Sequence, residues 1–597
     1  MYRRSRLRDR TVQLHFEFAG RAAENRPKTD QWSVQSGSET LHHGSVIRNG
    51  SLPLPCDILW EKHIPVTLRD GVTVYVDVFR PPKAVLGSVP AIISGGPYGK
   101  NGGYFTDLTD NAPFRFGIPQ KTVSGLEKFE GLDPAYWVFH GYAIVHTDPR
   151  GVQWSEGDMV MTSKQDGEDN YDIIEWIASQ PWCNKRVSMA GNSWLSQTQW
   201  FAAAEKPPHL TCIAPAEGWT DFYNDTLCCG GIPYSAMWEW ISMKATRGLG
   251  RVEDFGAMAA KYPLWSQCWE DHKAKLANID IPIYVVASWT SVLHAGGTFH
   301  GWLGVSSKNK WLRVHNSNEW PDLYKTENVQ DWKKFFDHYL KGVNNDWEFT
   351  PKARLCILNA GGQDIINRPE ADFPLARQQT RLLHLDAASK TLSWDIPVSS
   401  ESSIHLDSKT EEVLFTYTFP KRTELTGYFA LNLYIEAPGA EDADIFCVWD
   451  KLSAEGTVLK HLDIDPGYLQ EDPEAERQKV LGNPHLPFGP LFLSRGSHGR
   501  LRASHRELSD QATLHDPRYT HRTSQPLTEG EIVKLQIEMR PFGVIFEAGQ
   551  SLQLTIAGHN VLGELPFLPP MPTVNKGDIV IRTGGKYDSA LVVPLVE

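Results

Sequence analysis

Hydrophobic and polar positions along this chain change rhythm twice. Residues 1 to about 50 are polar, mixed in charge and without period, which predicts an extension or loose arm. From residue 58 the pattern becomes ordered. Ile64–Leu68 and Val72–Val78, joined at Asp70-Gly71, predict two strands around a tight turn. Short apolar runs follow at Pro90–Ser94, Tyr142–His146 and Arg186–Ala190, then near Thr211–Pro215, Ile281–Ala287 and Trp311–Val314. Helical spacing appears between them, with Ile173, Ile174, Trp176 and Ile177 on one face of Asp169–Gln180, and again from Ser193 to about Ala204. Strands alternating with helices over roughly 280 residues predict a doubly wound, mostly parallel α/β sheet. A helical stretch rich in Trp and Met, about 221–277, reads as an insertion that would form a lid.

Past about residue 352 the texture becomes one of short alternating segments separated by Gly, Pro and Asp turns. Leu382–Leu385, Phe429–Ile435 and Ser551–Ile556 are examples, and they predict an all-β sandwich of jelly-roll type. The expected organisation is therefore an N-terminal extension (1–50), an α/β domain (51–352) carrying the lid, and a β domain (353–597).

Composition narrows the function classes. Hydrophobic residues make up 41% and charged residues 22%, as in ordinary globular proteins. Formal charge is −13 and no Lys/Arg-rich run suits a phosphate backbone, so nucleic acid is not an expected partner. No run of about 18 apolar residues suggests a membrane span. The basic N-terminus lacks an apolar core and is interrupted by Asp9, Glu17 and Glu24, so the cytoplasm is the expected location. The eight cysteines form no CxxC pair or regular framework. There is no HExxH, phosphate loop or dinucleotide fingerprint, so no metal and no cofactor are expected. The 21 tryptophans fit a pocket for an apolar small molecule, or equally a large β-rich enzyme.

Gly191-Asn192-Ser193, after an apolar strand and before a helix, is a candidate nucleophile elbow. Such a turn lifts the serine hydroxyl to the strand tip and aims the next backbone N–H at an oxyanion. The G-x-S-x-G form is incomplete, because Leu195 stands at the second glycine.

Asp70-Gly71-Val72, Gly96-Pro97-Tyr98-Gly99-Lys100, Asp148-Pro149-Arg150-Gly151 and Gly191-Asn192-Ser193-Trp194 follow one another in an order and spacing that resemble the cocaine-esterase/X-prolyl dipeptidyl-peptidase group (CocE/NonD) of α/β-hydrolases. Phe335–Gly342 resembles that family's segment leading into the jelly roll, and the likeness runs over about 58–590. The resemblance implies Ser193 as nucleophile, with the Tyr98 hydroxyl and the Trp194 N–H as oxyanion donors. Asp148 and Arg150 match a structural turn. The acid and base depart from the pattern. Ser291 stands where a Trp-x-Asp segment would place the acid, and Asn316-Ser317-Asn318-Glu319-Trp320 replaces a Pro-Trp-x-His loop. His315, at the end of its strand, is the expected base, with His294 as substitute. Serine can orient an imidazole but cannot supply the charge that stabilises the imidazolium. Glu217 is the expected replacement carboxylate, ahead of Asp221 and Glu319.

The expected function is a serine hydrolase cleaving an ester, before an amide, of a bulky hydrophobic substrate through an acyl-serine. The weakened triad leaves two alternatives: a redirected lyase, cyclase or acyl transferase acting on a hydrophobic metabolite, or a catalytically silent binding protein. Relatives often assemble as homo-oligomers, but the sequence carries no interface signal.

Overall fold

Runs in which every residue is apolar become central strands buried on both faces. The computed structural model describes residues 17–20, 35–82, 88–100, 118–463, 492–563 and 568–597. Eleven strands form the first sheet. In chain order they are β1 (Gly37–Leu41), β2 (Ile58–Thr67), β3 (Thr73–Arg80), β4 (Val89–Gly95), β5 (Ala143–Asp148) and β6 (Cys183–Asn192), then β7 (Leu210–Ala216), β8 (Ile283–Ser288), β9 (Lys310–His315), β10 (Ala353–Ile357) and β11 (Ile365–Glu370). Their spatial order is β11-β10-β9-β8-β7-β6-β4-β5-β3-β2-β1. All pairs from β5 through β10 are parallel, and the outer pairs at both ends are antiparallel. This is the α/β-hydrolase arrangement, and β4, β5 and β8 are buried at every position.

Three helices explain how the strand tips are held. α1 (Lys164–Ser179) is capped by Ser163, whose side chain accepts from the Asp166 N–H, and packs Ile173, Ile174 and Ile177 inward. α2 (Trp194–Ala204) is buried at every position. α3 (Ala295–Gly304) lies beside β8 and against the long β-domain strand Val533–Phe546. Further along, α4 (Glu319–Tyr324) leads into α5 (Thr326–Lys341), which Gly342 ends in the left-handed conformation (φ 69°).

The lid packs Trp219, Phe222, Tyr223, Trp238, Phe255 and Trp269 into a separate aromatic core above the strand tips. A second sheet of twelve strands, from Gln378 to Val596, forms the C-terminal β domain. The first sheet runs past the expected boundary at 352, because β10 continues its parallel edge from β9 and β11 folds back on β10. At the N-terminus, residues 1–16 and 21–34 of the expected arm lie outside the described residues. Phe18–Ala19 pairs with Val252–Glu253 of the lid, and β1 closes the sheet edge. No helix among the described residues is long and apolar enough to cross a membrane.

Buried charges below the strand tips are paired. Arg150, 6% exposed, contacts Asp169 at 2.6 Å and Asp70 at 2.8 Å, tying the β2–β3 turn to α1. Removing one partner of such a group strands the others in low dielectric. Replacing Arg150 with Met is expected to destabilise the α/β domain by about 3–5 kcal/mol, read as a lowered midpoint in chemical denaturation. The exposed pair Lys206–Asp280 serves as control, because charges facing water gain little from pairing.

Candidate active site

Ser193 sits at a backbone conformation (φ 55°, ψ −118°) that a residue with a side chain rarely adopts. Such a turn costs about 1–3 kcal/mol and persists only where packing holds it. Here the Ser193 N–H donates to the Ala216 carbonyl at 3.0 Å, and the Asn192 N–H donates to the Glu130 carbonyl at 3.1 Å. Leu195 fills the place of the missing second glycine because two other glycines make room. A Cβ on Gly96 would come within 2.4 Å of the Leu195 side chain, and one on Gly191 (φ 143°) within 2.6 Å.

The Ser193 hydroxyl meets His294, with 3.1 Å between Oγ and Nε2. On the other side of the ring, Nδ1 lies 3.2 Å from Ser291 Oγ and 3.7 Å from Glu319 Oε1. Trp219 stacks on the imidazole at a centroid distance of 5.6 Å. His294 is 2% exposed, and burial pushes its pKa down to about 4, with Glu217 pulling weakly the other way. The loop carrying it is pinned at Trp289, which stacks on Phe299 and donates to the Cys356 carbonyl at 2.6 Å.

His315, the base expected from the sequence, lies elsewhere. Its Nε2 is 2.6 Å from Glu217 Oε1, and Glu217 also accepts from Ser288 Oγ at 2.9 Å. Burial opposes charge on His315, but Asp322 and Glu217 outweigh it and raise its pKa. The reason for its position is the sheet order. Strands lie about 4.8 Å apart, so a residue still on β9 is roughly 14 Å across the sheet from the tip of β6. His294, on the loop after β8, folds back over that distance. Glu217, expected to replace the missing acid, is thus taken up by His315. Asp221 is also remote, paired with Lys273 at 3.2 Å. Glu319, in the segment that stands in place of a Pro-Trp-x-His loop, is the acid that approaches the His294 ring instead.

Tyr98, 4% exposed, is held edge-on by Phe129 at 5.1 Å and Trp194 at 6.4 Å. Its hydroxyl interacts with Ser193 and with Glu130, and burial first, then Glu130, pushes its pKa well up. Trp194 opens α2, so its N–H belongs to the first turn, which has no helical acceptor.

Glu130 is the residue that sequence reasoning passed over. Its carboxyl is buried, accepts from Trp320 Nε1 at 3.1 Å and interacts with Ser193 and Asn192. Burial pushes its pKa up to about 8. Burial, with Glu217 and Glu130 nearby, also pushes Glu319 well up. Phe129-Glu130-Gly131 carries no motif, so no local signal marked it. Glu217, His294 and Glu319 present ligand atoms within 4.8 Å of one another, a spacing at which a cation could be shared. Two of these groups are already bound to His315 and Ser193.

The chain is similar over most of its length to known proteins. The X-Pro dipeptidyl-peptidase (S15 family) profile matches residues 70–262, and that of the X-Pro dipeptidyl-peptidase C-terminal non-catalytic domain matches 345–592. Ser291, His294, His315 and Glu319 fall between the two matches. A cocaine esterase from Rhodococcus sp. (strain MB1 Bresler) is 34% identical over 162 residues, which is 27% of this chain and 24% of that protein. An aminopeptidase from a Thaumarchaeota archaeon shares the fold alone, at 15% identity and TM-score 0.62, covering 90% of this chain and 97% of that one. A CocE/NonD family hydrolase from Staphylococcus aureus superposes with TM-score 0.81 at 30% identity, covering 94% of this chain and 97% of that one. With that full-length match, the chain belongs to the CocE/NonD family of hydrolases, within the serine peptidase and esterase group.

Proposed function

We propose that this protein hydrolyses esters through an acyl-Ser193 intermediate, with His294 as general base. The observation that carries the reading is the 3.1 Å contact between Ser193 Oγ and His294 Nε2 at a strained elbow. A neutral imidazole in that position takes the serine proton as Oγ attacks the carbonyl, then returns it to the leaving alcohol. Ser291 Oγ accepts from Nδ1–H and fixes the tautomer; Glu319 is the nearest carboxyl to that nitrogen. The Tyr98 hydroxyl and the Trp194 N–H face the developing oxyanion. Glu130 keeps its proton at neutral pH and adds no negative charge beside them. The aromatic lid core supports a bulky apolar substrate. A second reading, in which the fold has been redirected to lyase, cyclase or transfer chemistry, draws on the bond from His294 to a serine rather than a carboxylate.

Intact-mass labelling with a fluorophosphonate distinguishes these readings. Wild type is expected to gain one adduct, Ser193→Ala none, and His294→Ala to react at least about a hundredfold more slowly. His315→Ala is expected to label at close to the wild-type rate, so a folded His315→Ala protein that does not label would return the base to His315. No adduct on folded wild type would end the acyl-serine reading.

The pH profile follows from the two shifted groups. His294 must be neutral, so activity falls below about pH 4 as the imidazole protonates. Glu130 must be protonated, so activity falls above about pH 8 as a carboxylate appears beside the oxyanion site. Glu130→Gln is expected to remove the alkaline limb and keep the acid one, measured as kcat/KM against pH.

An acid at position 291 is a sharper test of His294 as the base. Ser291→Asp places a carboxylate against His294 Nδ1, which raises the imidazole pKa and moves the acid limb upward. It is expected to increase kcat at least about tenfold, a fraction of the ~10⁴ supplied by an orienting carboxylate.

A further inference from the structure

A cavity of about 180 Å³ lies beside the serine site, enclosed by the lid, the loop before His294 and the β domain. Val292 and Leu293 form part of its wall, immediately before the base. Trp238 forms another part and packs against Trp219 at 4.6 Å, the ring that stacks on His294. Met237, Phe446 and Leu562 continue an apolar lining.

Two guanidinium groups break this apolar surface. Arg540 donates to the Asp225 carbonyl at 2.7 Å and approaches Cys229 Sγ at 3.4 Å. Arg500 donates to the carbonyls of Cys229 and Thr226 at 3.3 Å each, and approaches Met571 Sδ at 3.3 Å. Among the described residues neither has a carboxylate within ion-pair distance. By contrast Arg502, on the same strand as Arg500, pairs with Asp444 at 2.8 Å. The approach of Arg540 is built into the backbone, because a Cβ on Gly296 would lie 1.7 Å from its Nη1.

The two carboxylates of the lining, Asp225 and Glu538, are engaged by His300. Asp225 is bound to His300 at 2.8 Å; burial opposes charge on both, yet the pair holds Asp225 down at about 2 and His300 up at about 10. Glu538 faces the other ring nitrogen of His300 at 3.4 Å. Both carboxylates of the lining thus turn to His300, beside which Asp516 also lies, and the guanidinium groups of Arg500 and Arg540 are left to carbonyl and sulfur acceptors. His498, also in the wall, adds no charge, since burial and the two arginines push its pKa down to about 3. A planar guanidinium in a part-buried apolar cavity suits a carboxylate, which it can hold through two parallel N–H···O bonds.

We propose that this cavity receives a carboxylate carried on an apolar chain, as the distal end of the molecule the enzyme acts on. The substrate class is then the half-ester of a dicarboxylic acid, or an ester whose acyl part ends in an acid, and the assignment rests on the hydrolase reading above. Binding is measured first on the full-length Ser193→Ala protein, which cannot form an acyl-enzyme. In calorimetry 4-phenylbutanoate is expected to bind at least tenfold more tightly than the equally sized 4-phenylbutanamide. Arg540→Gln and Arg500→Gln are each expected to abolish that preference in proteins whose circular-dichroism spectrum and cooperative unfolding show them folded; Arg540→Lys is expected to keep part of it. Equal affinity for acid and amide, or no binding of the acid, overturns the assignment. Wild-type turnover of the monomethyl and dimethyl esters of one dicarboxylic acid then separates the two readings. A monomethyl preference lost in Arg540→Gln supports both. Acid binding without any ester turnover leaves the anion site standing and removes the hydrolase reading, whereas turnover that favours the dimethyl ester removes the substrate class alone.

Discussion

The strained backbone at Ser193 is the constraint around which the rest of this molecule is arranged. A side-chain-bearing residue in that conformation relaxes unless its neighbours prevent it. The neighbours here are a strand buried on both faces, a helix buried at every position, and Leu195 wedged between two glycines. The carbonyls of Glu130 and Ala216 then fix the backbone N–H groups of Asn192 and Ser193. The elbow is thus a property of the whole sheet edge, and the serine hydroxyl is delivered to one defined point.

Everything that meets the serine reaches that point from a different part of the chain. Tyr98 follows β4, Glu130 precedes β5, His294 and Ser291 follow β8, and Glu319 opens α4 after β9. In a parallel sheet the C-terminal strand ends converge on one edge, so loops distant in sequence share a cleft. Burial then sets their protonation. Desolvation lowers the pKa of His294 and raises that of Glu130, favouring the neutral form of each. His315 shows the opposite outcome, since the acids beside it hold that histidine toward its charged form.

The β domain contributes more than a cover. It supplies the acceptor-poor arginines of the adjoining cavity, and its strand Val533–Phe546 packs against α3, the helix that begins directly after His294. The loop bearing His294 is therefore clamped between the two sheets. This explains how a histidine three residues beyond Ser291 reaches the serine at all.

Much of this was written in the sequence. Apolar runs bounded by glycine and proline marked several central strands to within a residue or two, as at Leu210–Ala216 and Ile283–Ser288, whereas the strand expected at Ile64–Leu68 begins six residues earlier, at Ile58. The strand-turn-helix around Gly191-Asn192-Ser193 marked the elbow, and Ser291 marked the missing acid. The choice between His294 and His315 was not legible, because it depends on distance across the sheet, and sequence records order along the chain. Glu130 was invisible for the same reason: no motif surrounds it, and its altered acidity exists only once the fold has removed the water around it. Local chemistry determined which residues could act; the tertiary structure decided which of them meet, because only it sets separation and burial.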